Sequence, residues 1–139
     1  MNETLLEPLT NFTRIGRQPG VDRLIDAFYR RMDLLADAQI IRAMHQADLT
    51  ATKTVLKLYL AEWLGGPPLY SQQRGHPRLR MRHIRFPIGP AERDAWMLCM
   101  SGALDEVVAE PAVRELLYAS FLKLADWVRN DPENPHDKR

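Results

Sequence analysis

The 139-residue chain has only one cysteine and no long apolar run, and both features limit the classes of protein to which it can belong. Cys99 alone cannot form an internal disulfide, and its place between Leu98 and Met100 predicts a buried apolar side chain rather than a reactive thiol. No apolar run approaches the roughly 20 residues that span a bilayer. The first four residues also lack the charged and apolar regions of a secretory signal. We therefore expect a cytoplasmic protein with no membrane contact.

A strong net charge is also lacking. The 19 lysines and arginines nearly balance the 18 aspartates and glutamates, so the formal charge is +1. A nucleic-acid partner is therefore not expected unless a local patch binds it. The length suits one domain, because two cores would each approach the size at which burial barely offsets chain entropy.

Familiar catalytic and metal-binding motifs are missing as well. The four histidines, at positions 45, 76, 83 and 136, show neither the i, i+4 spacing of a zinc-binding helix nor a Cys/His cluster. The chain has no Gly-x-Ser-x-Gly elbow and no phosphate-binding glycine loop. Zinc, hydrolase and nucleotide-binding functions thus have no motif to support them.

What the sequence does contain is helical periodicity. Apolar residues recur at three- and four-residue steps from about Val21 to Leu35 and from Thr50 to Leu64, with Thr50 as a candidate N-cap and Gly65-Gly66-Pro67-Pro68 as a stop. Two further helices are predicted to begin at Pro90 and Pro111, because proline is tolerated at the first helical position. No segment alternates with a strand period, so the predicted fold class is all-α.

The two ends of the chain are less regular. Pro19-Gly20 is interpreted as a breaker, with a short helix between about Leu5 and Ile15 before it. The polar segment 130–139, interrupted twice by proline, is predicted to be a disordered tail after a single domain at 1–129.

Between these helices lies a basic stretch from Arg74 to Phe86. Its arginines form a phosphate-binding patch in one interpretation, although stacking aromatics are scarce. In a second interpretation they meet the carboxylates of a flat apolar cofactor whose metal is ligated by a histidine. In a third they are an ordinary solvated face, and His83 is a partly buried structural histidine. Composition and spacing leave these alternatives open.

Several ordered blocks of this sequence closely resemble group II truncated haemoglobins. The blocks are Trp63-Leu64-Gly65-Gly66-Pro67, Tyr70-Ser71, Gly75-His76-Pro77-Arg78-Leu79-Arg80-Met81-Arg82-His83, Phe86-x-Ile88 and Glu92-Arg93-Asp94-Ala95-Trp96. The resemblance covers nearly the whole chain and implies a shortened globin fold. In that fold two antiparallel helix pairs, about 21–36 with 50–64 and 90–108 with 111–129, form a two-over-two sandwich around haem.

The resemblance also implies residue roles. His83 takes the position of the proximal iron ligand, and Tyr29 and Trp96 take those of distal hydrogen-bond donors. Taken alone, Tyr29 and Trp96 would be read as core packing and His45 as a loop histidine. By position, His45 is a third distal polar group.

The resemblance also assigns further residues to the walls of the haem pocket. Thr52 replaces the distal histidine of larger globins, and Tyr70, Arg74 and Arg82 are candidates for the haem propionates. The remaining implied contacts with the cofactor come from Leu56, Tyr59, Leu79, Phe86, Ile88 and Met100. Because the chain lacks Cys-x-x-Cys-His, the cofactor is expected to be haem b, held without thioether bonds.

The function implied by the resemblance is binding of dioxygen and other diatomic ligands at a five-coordinate iron, for oxygen binding, transport or storage. The alternative is a redox enzyme that oxidises nitric oxide or reacts with peroxide. An external reductase would supply the electrons for such turnover. Carbon monoxide is a further expected ligand, and the expected oligomeric state is a monomer or a homodimer.

Overall fold

The computed structural model describes residues 9–134, and within that range all regular structure is helical. The all-α prediction is confirmed. The helices are α1 Asn11–Arg14, α2 Arg17–Leu34, α3 Gln39–Arg42, α4 Thr50–Trp63, α5 Leu69–Arg74, α6 Leu79–His83, α7 Pro90–Val107 and α8 Pro111–Val128. A 3₁₀ turn at Ala36–Ala38 leads into α3.

The long helices pack as the two predicted pairs. α2 contacts α4, α7 contacts α8, and the pairs meet where α2 packs against α7. Phe28, Ile25 and Met32 from α2 and Met100 from α7 are completely buried at this contact, and Phe121 of α8 closes the core. Burial of such side chains contributes about 1.5 to 3 kcal/mol each, so this crossing dominates the stability of the domain.

The predicted start of α2 at Val21 is wrong. The helix begins at Arg17, after Gly16 in the left-handed conformation with a φ of 97°. Pro19 fits in the first turn because its missing N–H would have no intrahelical partner there. At Gly20 a Cβ would lie 1.7 Å from the Ile15 carbonyl oxygen, so the glycine allows close chain approach instead of breaking the helix.

Two more helix starts differ in detail from the sequence prediction. The first helix is the single turn Asn11–Arg14, capped by the Thr10 side chain, and positions 5–8 of the predicted helix lie outside the described residues. Thr50 is the first residue of α4 and not its N-cap. The carboxylate of Asp48 accepts hydrogen bonds from both the backbone N–H and the hydroxyl of Thr50, at 3.0 and 2.7 Å. Leu49 is the N-cap residue, and Asp48 before it satisfies the first N–H of the helix.

The starts of α7 at Pro90 and α8 at Pro111 are confirmed. Beyond α8, residues 130–134 of the predicted tail are described and contact the rest of the domain, whereas 135–139 lie outside the described residues. Over the residues that the structure describes, no helix has the length and apolarity to cross a bilayer.

Candidate functional site

His83 is the last residue of α6 and is half-buried. Its Nδ1 lies 2.6 Å from the carbonyl oxygen of Leu79. Because a carbonyl oxygen only accepts, Nδ1 is the donor in this bond, and Nε2 is the ring nitrogen left for another partner. This contact fixes the ring orientation and leaves Nε2 as the atom that can bind a metal.

The backbone around His83 is held by a residue far along the chain. The side-chain amide of Asn130 donates to the carbonyl oxygens of His83 and Phe86, at 3.1 and 2.7 Å, and accepts from the N–H of Ile88 at 2.9 Å. The Asn130 N–H also donates to the Ile88 carbonyl oxygen at 2.9 Å. One asparagine thus satisfies several polar groups of the turn that follows α6.

A buried polar cluster keeps Asn130 in place. Arg129 is only 6% exposed and pairs with Asp126 at 2.9 Å and Asp131 at 2.8 Å. The completely buried Asn134 donates to the Arg129 carbonyl oxygen at 2.6 Å. The guanidinium of Arg129 holds the pKa of Asp131 below its usual value. The segment after α8 is therefore tied to the domain by charge-assisted contacts.

Tyr29 lies on α2, almost completely buried. Its ring meets the Phe28 ring edge-on at 4.9 Å and the His45 ring at 5.9 Å. Burial raises the pKa of its hydroxyl, so Tyr29 stays a neutral phenol. Within residues 9–134 no hydrogen-bond partner is found for this hydroxyl, which leaves its proton available to a ligand.

His45 follows α3 and repeats the arrangement of His83. Its Nδ1 donates to the Ile41 carbonyl oxygen at 2.8 Å, which leaves Nε2 as an acceptor. Burial lowers the pKa of His45, the Ile41 hydrogen bond raises it, and the nearby charges of Arg42 and His83 lower it further.

Trp96 lies half-buried on α7. Its ring is 5.0 Å from that of Phe28 and 5.9 Å from that of Phe121. The indole N–H, like the Tyr29 hydroxyl, has no hydrogen-bond partner among the described residues. Phe28 therefore links the three predicted distal residues, since its ring touches both Tyr29 and Trp96 while Tyr29 touches His45.

The predicted wall residues lie on α4 to α7 and on the turn between α6 and α7. Tyr59 of α4 meets the buried ring of Tyr70 edge-on at 5.6 Å, and burial raises the pKa of Tyr59 to about 12, with smaller contributions from Tyr70 and Glu62. The Glu62 carboxylate accepts from the backbone N–H of Ser71 at 2.9 Å and from its hydroxyl, which ties α5 to α4. Thr52, Leu56, Leu79, Phe86 and Ile88 are half-buried, and Met100 is completely buried.

The arginines predicted for the propionates are exposed. The Arg74 guanidinium lies 6.0 Å from the centre of the Tyr70 ring, and Arg82 donates from Nε to the Pro77 carbonyl oxygen at 2.7 Å. Both side chains border the segment that carries His83, and their roles stay predictions.

Comparison with known proteins agrees with this architecture. The profile of the Bacterial-like globin family matches residues 10–130. The chain is 39% identical to the group 2 truncated hemoglobin YjbI of Bacillus subtilis, over 81% of this chain and 83% of that protein. It belongs to the truncated haemoglobins of group II.

Solved structures of other truncated haemoglobins superpose on this one. The group II 2-on-2 hemoglobin of Agrobacterium tumefaciens is 43% identical, with a TM-score of 0.84 over 89% of this chain and 96% of that one. The cold-adapted truncated hemoglobin of Pseudoalteromonas haloplanktis is 37% identical, with a TM-score of 0.85 over 88% and 98%. These likenesses confirm the predicted family and the two-over-two fold.

The globin family binds diatomic ligands through haem, and the residues of this truncated haemoglobin fit that group. His83 offers its Nε2 ring nitrogen, and Tyr29 and Trp96 offer donors with no partner in the described part of the chain. No cluster of three histidine, cysteine or carboxylate side chains able to hold a bare metal ion is found among residues 9–134. A single imidazole beside apolar and aromatic walls is the donor set typical of haem.

Sequence reasoning missed Asn130 and the polar cluster around Arg129. No periodic pattern or motif marks them, because their partners lie up to 49 positions away in the chain. The polarity and the two prolines of 130–139 place Asn130 in the predicted tail, and neither signal points to its contacts with residues 83–88.

Proposed function

We propose that this protein binds dioxygen reversibly at a five-coordinate haem b, with His83 as the proximal ligand. The observation that carries the proposal is the hydrogen bond from His83 Nδ1 to the Leu79 carbonyl oxygen, which leaves Nε2 as a ligand. Haem supplies an iron that takes a diatomic ligand in its sixth position. Leu79, Phe86 and Ile88 lie on the same segment as His83, and their apolar side chains would contact the ring.

The distal donors support retention of a ligand that carries partial negative charge. Tyr29 and Trp96 can each donate one hydrogen bond, and a Trp indole can only donate. The raised pKa of Tyr29 keeps its proton in place at neutral pH. Fixed donors in a site with little water stabilise developing negative charge, so two bonds of about 1 to 1.5 kcal/mol each would slow ligand release by one to two orders of magnitude.

The neutral form of His45 favours the same function. Burial lowers its pKa, so its Nε2 carries no proton at neutral pH and can accept a hydrogen bond from a neighbouring donor. We assign Thr52, Leu56 and Tyr59 of α4 and Met100 of α7 to the walls of the pocket, and Tyr70, Arg74 and Arg82 to its carboxylate edge. Slow release suits oxygen storage, and it also suits the oxidation of nitric oxide by the bound ligand.

The test is spectroscopic and kinetic. Purified protein reconstituted with haem should show an intense band near 400 nm, a ferrous five-coordinate spectrum and slow oxygen dissociation in stopped-flow measurements. Protein that takes up no haem would contradict the proposal. Nitric oxide mixed with the oxygenated protein, with a chemical reductant present, separates storage from enzymatic turnover, because only an enzyme consumes nitric oxide over many cycles.

A further inference from the structure

The segment that carries His83 has both half-buried and exposed side chains. Leu79, His83 and Phe86 are half-buried. Arg78, Met81, Ile84 and Arg85 are exposed. We call these four exposed residues the outer face. They flank the ligand-binding imidazole on the same short segment.

The positive charge of the outer face is not neutralised within the protein. No aspartate or glutamate occurs between Ser71 and Ala91. Arginines elsewhere, such as Arg30, Arg42 and Arg93, form ion pairs at 2.5 to 2.7 Å. Within residues 9–134, by contrast, Arg78, Arg82 and Arg85 have no carboxylate within ion-pair distance. The outer face thus presents its charge to solvent.

The charge also exceeds what the proposed cofactor needs. Five of the chain's 19 cationic residues lie between Arg74 and Arg85, whereas haem has two carboxylates. The other 14 cations are outnumbered by 18 acidic residues, so the rest of the chain is net negative. The segment is therefore a local positive pole that attracts an acidic surface and orients it.

Apolar side chains stand among these arginines. Met81 is 60% exposed and Ile84 is 69% exposed, so two large apolar side chains lie beside the exposed arginines. A small apolar centre within a charged rim is typical of transient protein interfaces. Binding of single-stranded nucleic acid would require exposed stacking aromatics, and Phe86 of this segment is half-buried. The chemistry favours an acidic protein.

We propose that the outer face docks an acidic electron-transfer protein that keeps the haem iron ferrous. This inference rests on the proposed function, because only ferrous iron binds dioxygen. The partner's flavin or iron–sulfur centre gives up one electron and is oxidised by one electron, while ferric iron becomes ferrous. No bond to the protein forms or breaks. Since His83 lies on the same short segment, docking there brings the two redox centres close together.

Stopped-flow reduction of the haem-loaded ferric protein by a reduced acidic [2Fe–2S] ferredoxin tests the proposal. We expect the second-order rate constant to fall about tenfold or more between low and physiological ionic strength. The double variant Arg78→Glu with Arg85→Glu should lower it about tenfold at low salt. The matched control, Arg14→Glu with Arg23→Glu, makes the same charge change at exposed positions of α1 and α2 and should change the rate less than twofold.

Two further measurements distinguish failure of the docking proposal from failure of the proposed function. Dithionite needs no docking surface, so it should reduce all three proteins at equal rates. Absence of the haem band before mixing would contradict the proposed function itself, whereas a normal spectrum with equal ferredoxin rates in both double variants would overturn only the docking proposal. Salt-sensitive binding of a DNA duplex that is lost in the Arg78/Arg85 variant, with ferredoxin reduction unchanged, would assign the outer face to nucleic acid.

Discussion

At the scale of single residues, His83 is distinguished from the other described histidines by its place beside Leu79, Phe86 and Ile88. His76 is exposed, and its Nδ1 accepts from the Arg78 N–H at 3.1 Å. We expect His83→Leu to abolish the iron–imidazole stretch in the resonance Raman spectrum of the ferrous protein and to weaken haem retention. His76→Leu is the matched control and should leave the stretch in place. Persistence of the stretch in His83→Leu would move the ligand to another histidine.

The second prediction at this scale concerns the indole N–H of Trp96. Trp96→Phe removes a donor and keeps much of the aromatic contact with Phe28. If the lost hydrogen bond contributes about 1 to 2 kcal/mol, the oxygen dissociation rate should rise roughly five- to thirtyfold. Carbon monoxide dissociation should change less, because that ligand is less polarised. Equal acceleration of both ligands would indicate that Trp96 only fills space.

At the scale of structural elements, the turn after α6 depends on the segment after α8. Asn130→Ala removes two donated hydrogen bonds and one accepted bond at the carbonyl and N–H groups of residues 83, 86 and 88. We expect the free energy of unfolding to fall by about 2 to 3 kcal/mol, because partly buried carbonyls lose their donors. Haem transfer to an excess of an apoglobin acceptor should also become faster.

Asn11→Ala is the control for Asn130→Ala. The Asn11 side chain accepts one exposed hydrogen bond from Arg14 at 3.2 Å, so its loss should cost less than about 1 kcal/mol. Urea denaturation of the two variants gives the comparison. If they are equally stable and release haem at equal rates, the contacts of Asn130 do not hold the segment that carries His83.

At the scale of the whole molecule, acid should loosen the packing of α2 against α7. Glu106 of α7 accepts from Arg31 of α2 at 2.9 Å and pairs with Arg30, and these guanidinium groups lower the pKa of Glu106 below its usual value. A carboxyl with a lowered pKa contributes stability above its unfolded pKa of about 4.3, and that contribution is lost as pH falls through the folded value. The melting temperature should therefore decline below pH of about 4.5.

Glu106→Gln should flatten this acid decline while lowering the melting temperature near neutral pH, because the variant lacks the ion pairs at every pH. Glu110→Gln is the control, since its side chain forms no ion pair with a described residue. Calorimetry between pH 3 and 7 gives the profiles. Parallel profiles for wild type and Glu106→Gln would show that the pair contributes nothing to acid stability.

The four long helices and the family could be predicted from the sequence, and the family resemblance implied the pairing of those helices. The apolar stripes of α2, α4, α7 and α8 have the period of a helix, and Pro90 and Pro111 mark two helix starts, because these signals are local and each acts within a turn or two of chain. The ordered blocks around His83 and Trp96 identified the globin fold. Local rules predicted the wrong start for α2. The close approach of Gly20 to Ile15 lets this helix begin earlier.

The contacts between polar side chains depend on the tertiary structure. Asn130 reaches His83 across 47 positions, and Phe28 brings Tyr29 and Trp96 together from different helices. The ring orientations of His45 and His83 follow from the carbonyl oxygens of Ile41 and Leu79, which accept from Nδ1. Hydrogen bonds and ring contacts act over a few ångströms of space and carry no periodicity along the chain, so a sequence pattern cannot encode them.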